Sequence, residues 1–185
     1  RVPPACSVGR GLVVVGSWLA FFNSLPPYFA WKREHRGEKV PLAVVGIFAT
    51  FIVWLIATTP VAIEILFLLI PWSMGWVPTV NVPLARMLFW YFGHPLVYFW
   101  ILGAYVIWYT VIPTRFGGKV FSDGLTRLTF LMLLLLSTPV GIHHEFMDPG
   151  IATKWKLLHT VMTYGVAIPS FLTAFAIFAA FEIAA

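Results

Sequence analysis

Five long apolar runs, at about 11–31, 40–71, 83–114, 125–144 and 156–185, constrain this 185-residue chain more than anything else in its sequence. Each reaches or passes the roughly 20 residues needed to cross a bilayer's hydrocarbon core as a helix. A backbone in lipid must satisfy its own hydrogen bonds, and the runs lack the alternating pattern of barrel strands, so helices are expected. With 60% apolar and only 10% charged residues, the sequence implies an all-α fold, a polytopic transmembrane helix bundle. No repeat, low-complexity tract or long linker divides it, and a single membrane domain over 1–185 is expected.

The charges read as topology. Lys32, Arg33, Arg36 and Lys39 fill the first loop, and Arg115, Lys119 and Arg127 surround the third, whereas "PWSMGWVPTVNVP" carries no charge. The positive-inside bias therefore predicts that loops 32–39 and 114–124 are cytoplasmic. The net charge of +5 forms no basic face or stripe, which argues against a nucleic-acid partner. A single cysteine, Cys6, allows neither an internal disulfide nor a thiolate metal knuckle. Opening on Arg1 and ending at Ala185 inside an apolar run, the sequence is expected to be a piece of a longer protein.

In that topology His94 lies in the outer half of the third span, and His143 and His144 lie at the outer end of the fourth. Any one of them alone is most simply a hydrogen-bonded core histidine. Three imidazoles at matching depth favour a metal, because intramembrane ionisable groups are costly and neutral imidazole suits copper, zinc and iron. Consecutive residues diverge by about 100° on an α-helix, so the helix is expected to end or distort at the His-His pair, where Pro139, Gly141 and "DPG" at 148–150 supply the means. Pro95 likewise frees the carbonyl of Tyr91 beside His94.

Tyr98, Tyr105 and Tyr109 follow His94 at offsets of 4, 11 and 15, which return to nearly the same azimuth of the third span. The fifth span carries Thr163, Ser170 and Thr173 at offsets 4, 11 and 14 from His159. Single hydroxyls in such helices usually bond their own carbonyls. Two stripes on neighbouring spans suggest instead a hydrated proton path.

"WYFGHPLVYFWILGAY", "STPVGIHHEFMDPG" and "WKLLHTVMTY" together resemble subunit I of the haem-copper oxidases, the cytochrome c oxidase polypeptide I type, over helices four to eight of a twelve-helix core. The resemblance implies a terminal respiratory oxidase that reduces dioxygen to water with coupled proton uptake and pumping. It implies that His94, His143 and His144 bind copper facing a high-spin haem, and that Tyr98 is covalently joined to His94 and supplies a proton and an electron. Leu96 stands where mitochondrial-like members carry the glutamate of "GHPEVY", which makes the chain similar to B-family oxidases with a single proton channel. Tyr105, Tyr109, Ser122, Ser170 and Thr173 match its positions, and Arg86 and Asp148 are expected on the outer rim near the haem propionates.

The haem axial ligands of that family fall outside this chain, so the piece alone is expected to be incompetent. The implied partners are the remainder of subunit I, a subunit II carrying an electron-entry copper centre, a donor such as cytochrome c, and the lipid bilayer of a prokaryotic plasma membrane. Two other readings are a nitric oxide reductase relative, against which Tyr98 argues, and a membrane metal transporter. The transporter would want thiolates, thioethers or acids along its route, and the five methionines show no paired spacing.

Overall fold

The third span starts where its sequence signals, with Asn81 accepting from the Leu84 amide at 3.1 Å and proline in the first turn. The fourth starts on Ser122, whose Oγ accepts from the Leu125 amide at 3.2 Å. The structure, a computed structural model, describes residues 2–117 and 119–184. Arg1, Gly118 within the loop expected over 114–124, and Ala185 at the end of the expected fifth span lie outside the described residues.

Five helical rods are long and apolar enough to cross a membrane: Pro4–Glu34, Leu42–Ser73, Val82–Phe116, Asp123–Glu145 and Thr153–Ile183. No strand occurs among the described residues. The chain is an all-α, multi-pass membrane protein.

Three rods depart from regular α geometry. The second widens into a π-helical stretch at Glu64–Leu69, just before Pro71. A proline ring crowds the carbonyl four residues back and offers it no donor, and one extra residue per turn relieves that conflict. The fourth is α-helical only over Asp123–Ser137 and tightens into a 3-10 segment at Thr138–Glu145, with Pro139 at φ −90° and ψ 31°. The fifth, expected as one continuous run, divides at Val166 into Thr153–Gly165 and Ala167–Ala184. Pro169 explains the division, since it cannot donate to the Gly165 carbonyl.

The third span forms the middle of the bundle and packs most extensively on the second. At Gly46 a Cβ would collide with Val106 and Phe130, so the absent side chain lets the second span close on the third and fourth. Val53, Leu102, Phe130, Leu133 and Val140 are completely or almost completely buried in the core they share. Arg127 pins the start of the fourth span to the start of the second, bonding Asp123 at 2.8 Å and donating to the Val40 carbonyl at 2.7 Å.

Candidate metal centre

The 3-10 segment places both histidines of the fourth span against His94. With about three residues per turn and poorer hydrogen bonds than an α-helix, the segment depends on its surroundings. Gly141 rests on the third span so closely that a Cβ would overlap the Trp90 carbonyl. The Trp90 indole stacks on His144, with centroids 3.9 Å apart and planes 12° from parallel. Lys156 donates to the Phe146 carbonyl from the first turns of the fifth span.

The three imidazoles converge. One ligand nitrogen from each of His94, His143 and His144 lies within 4.8 Å of the others. Ring centroids are 4.2 Å apart for His94 and His143, 5.1 Å for His94 and His144, and 4.4 Å for the adjacent pair. His94 Nδ1 and His144 Nε2 stand 2.9 Å apart and share a hydrogen. Thr163 commits its hydroxyl proton to the His159 carbonyl at 2.6 Å, so His143 Nδ1 is the donor across 2.9 Å to Thr163 Oγ1. That tautomer leaves the lone pair of His143 on Nε2.

These donors fit an imidazole-bound transition metal. Neutral nitrogens without a thiolate suit copper, zinc or iron, and nitrogens at about 2 Å from one ion stand roughly 3–3.5 Å apart. The second ring nitrogen of His94, Nε2, is buried without a hydrogen-bond partner, and the Tyr98 ring lies 5.0 Å from the His94 ring.

Tyr98 and Tyr109 are buried at 9% and 3% exposure, whereas Tyr105 is half-buried and packs on Trp108. The Tyr109 hydroxyl has no hydrogen bond in place, but those of Thr126, Thr129 and Thr173 are grouped around it. Thr173 is fully buried and donates to the Pro169 carbonyl of its own helix, and Ser170 is half-buried and donates to the Val166 carbonyl at the division of the fifth span. Thr163 is therefore set apart from the other stripe residues by its contact with His143, and Ser122 by its role as a helix cap. Thr126 and Thr129 were not expected. Their i, i+3 spacing on one face of the fourth span was the available signal.

At the end of the third span that precedes His94, Arg86 Nη2 meets Asp148 Oδ2 at 3.3 Å, and its Nε meets Glu145 Oε1 at 3.5 Å. Glu145 is a third unexpected residue: it directly follows His144 and is 1% exposed. Glu64, an acid within the second span, is buried in the π-helical stretch beside a cleft that Arg10 also lines.

Known proteins resemble the chain over most of its length. The chain is 44% identical over 177 residues to cytochrome c oxidase subunit 1 of Thermus thermophilus, covering 96% of this chain and 32% of that one. It is 29% identical over 135 residues to heme-copper oxidase subunit I+III of Aeropyrum pernix, covering 71% of this chain and 16% of that protein. A solved heme-copper terminal oxidase dimer superposes with a TM-score of 0.94 at 49% identity, over 98% of this chain and 32% of its own. The chain thus spans about a third or less of the length of these relatives. Residues 3–183 match the family description "Cytochrome C and Quinol oxidase polypeptide I", and the chain belongs to that family.

Proposed function

We propose that this chain is the copper-binding and proton-delivering part of the catalytic subunit of a terminal respiratory oxidase. The observation that carries the reading is the convergence of His94, His143 and His144 from two spans on one position. Haem and copper, when bound, supply the redox chemistry that reduces dioxygen to water. The chain's own residues hold the metal, orient it and manage protons around it.

His143 presents Nε2, with its other nitrogen held by Thr163. His144 is kept in plane by Trp90. His94 offers Nδ1, and its unpartnered Nε2 and the neighbouring Tyr98 ring suit the covalent link that the family implies. Tyr98 holds a proton at its phenol within the buried core. Below it, Tyr105, then Tyr109 with Thr173, Thr126 and Thr129, form a hydroxyl-bearing route with Ser170 alongside and Ser122 toward the cytoplasmic loop.

The rest of the assembly follows from that role. The haem axial ligands come from outside this chain, and Arg86 and Asp148 face the propionates. The remainder of subunit I, a subunit II with an electron-entry copper centre, and cytochrome c or a similar donor complete the electron path. The protein sits in a prokaryotic plasma membrane with loops 32–39 and 114–124 in the cytoplasm.

The test is metal analysis of the full-length subunit carrying this segment, purified with its haems. Copper at one per high-spin haem, lost in His143→Ala with the low-spin haem spectrum intact, is the expected result. Copper unaffected by His143→Ala and His144→Ala would overturn the reading.

A further inference from the structure

We infer that Glu145, acting through Arg86, is a positioning residue that clamps the His143–His144 segment of the fourth span onto the third span opposite His94. The inference rests on the proposed copper-binding role of the histidines and adds a residue to it.

Glu145 is one residue beyond His144, and its side chain is 1% exposed. Neither of its carboxylate oxygens receives a hydrogen bond. A buried acid in that state is a poor source of stability, because desolvation outweighs what an imperfect ion pair returns, and apolar replacements often do as well. Its partner is Arg86, eight residues ahead of His94 on the same helix. The guanidinium reaches Glu145 through Nε at 3.5 Å and Asp148 through Nη2 at 3.3 Å, so one cation spans the end of the 3-10 segment and the turn after it.

That placement gives the pair a geometric role. Residues that carry metal ligands on a weakly bonded 3-10 turn need outside support to keep their rings aimed. Gly141 rests in the middle of the segment against the Trp90 backbone, the Trp90 indole stacks on His144, and Thr163 holds His143 from the fifth span. Past His144 the ties to the third span are the contacts of Glu145 and Asp148 with Arg86. The Arg86 side chain is half-exposed in both contacts, and they differ at the acid: Asp148 is 28% exposed and holds the turn beyond the segment, whereas the Glu145 carboxylate is buried directly after His144.

A simpler electrostatic role makes an opposite prediction. If Glu145 acted only by placing negative charge near a bound cation, then neutralising Arg86 would strengthen metal binding. A clamp is broken from either side. The experiment compares Glu145→Gln, Arg86→Gln and the double variant in the full-length oxidase, with Asp123→Asn at the far end of the same span as control. Copper retained during dialysis against a copper(I) chelator is one readout. The stretching band of carbon monoxide on reduced copper reports ligand geometry, and the haem absorption spectrum checks assembly.

Each single variant should weaken copper retention roughly 10- to 100-fold, as loss of supporting contacts around metal ligands commonly does, and should broaden or move the carbon monoxide band. The double variant should lose no more than the worse single one, and Asp123→Asn should match the parent. Wild-type behaviour of Glu145→Gln, effects of opposite sign for the two single variants, or full additivity would each overturn the clamp. If Glu145→Gln fails to assemble, Arg86→Lys carries the test. It should retain more copper than Arg86→Gln, and equal loss overturns the proposal. His143→Ala separates the two levels: copper loss there with an unaffected Glu145→Gln removes only the clamp, whereas no loss in His143→Ala removes the copper reading itself.

Discussion

The Trp90 indole lies flat against the His144 imidazole, 3.9 Å between centroids, with both rings projecting from segments that meet at Gly141. A stacked aromatic neighbour is worth about 0.5–1.5 kcal/mol beyond its buried area. Here its larger effect is to restrict rotation of a metal-binding ring. Trp90→Leu should lower copper affinity on the order of 10-fold, while Trp90→Phe keeps most of it. Chelator competition on the two purified variants measures this, and identical affinities would remove the stack from the site.

Gly141 is required by the third span's backbone rather than by a turn. A methyl there meets the Trp90 carbonyl, a neighbour that cannot rotate away, so Gly141→Ala should destabilise by about 1–3 kcal/mol. At Gly103 on the third span an added methyl would have nothing within 4 Å, and Gly103→Ala should be neutral within about 0.5 kcal/mol. Thermal unfolding in detergent distinguishes them. Equal melting temperatures would show that the fourth span yields without cost.

Thr163 accepts from His143, whereas Thr160, one turn earlier, bonds only its own helix at Lys156. Thr163→Val should therefore release the His143 ring and reduce copper retention roughly 10-fold. Thr160→Val should leave it unchanged. Copper-to-haem ratios after identical purification decide the matter, and matched losses would assign the effect to general helix damage.

Tyr98→Phe removes a phenolic proton without removing a metal ligand. Oxygen consumption should fall by about 10²–10⁴-fold, the usual range for a lost proton donor, with copper content preserved. Thr173→Val should slow only the steps that take up protons, because a methyl fills the hydroxyl's volume but relays nothing. Flow-flash proton-uptake traces test it: unaltered uptake in Thr173→Val excludes the lower part of the fifth span from the route.

The histidines were legible because three costly residues shared a depth once the loop charges set the topology, and the distortion at the pair followed from helical geometry. Arg86 and Asp148 could be paired for the same reason, each lying just outward of a candidate ligand. Glu145 was not legible. Nothing in its neighbours along the chain marks it for burial, and it is 1% exposed in the folded protein. Thr126 and Thr129 were missed because threonines that bond the carbonyl four residues back look ordinary in a sequence. The division of the fifth span at Val166 was hidden by hydropathy, which counts Pro169 among tolerable neighbours and is blind to the carbonyl it leaves without a donor.

The change of winding in the fourth span also sets a length. Its 23 residues would cover about 34 Å as a continuous α-helix, but 15 α-helical residues and eight in the 3-10 segment give a contour of about 38 Å. The shortest of the five rods thereby gains roughly 4 Å of reach at its ligand-bearing end. The height at which His143 and His144 stand against His94 is thus set by backbone pitch as well as by residue position. A substitution that let Thr138–Glu145 relax into α-helix would draw both imidazoles back along the span by about 3 Å, more than half a turn, with every ligand residue still in place.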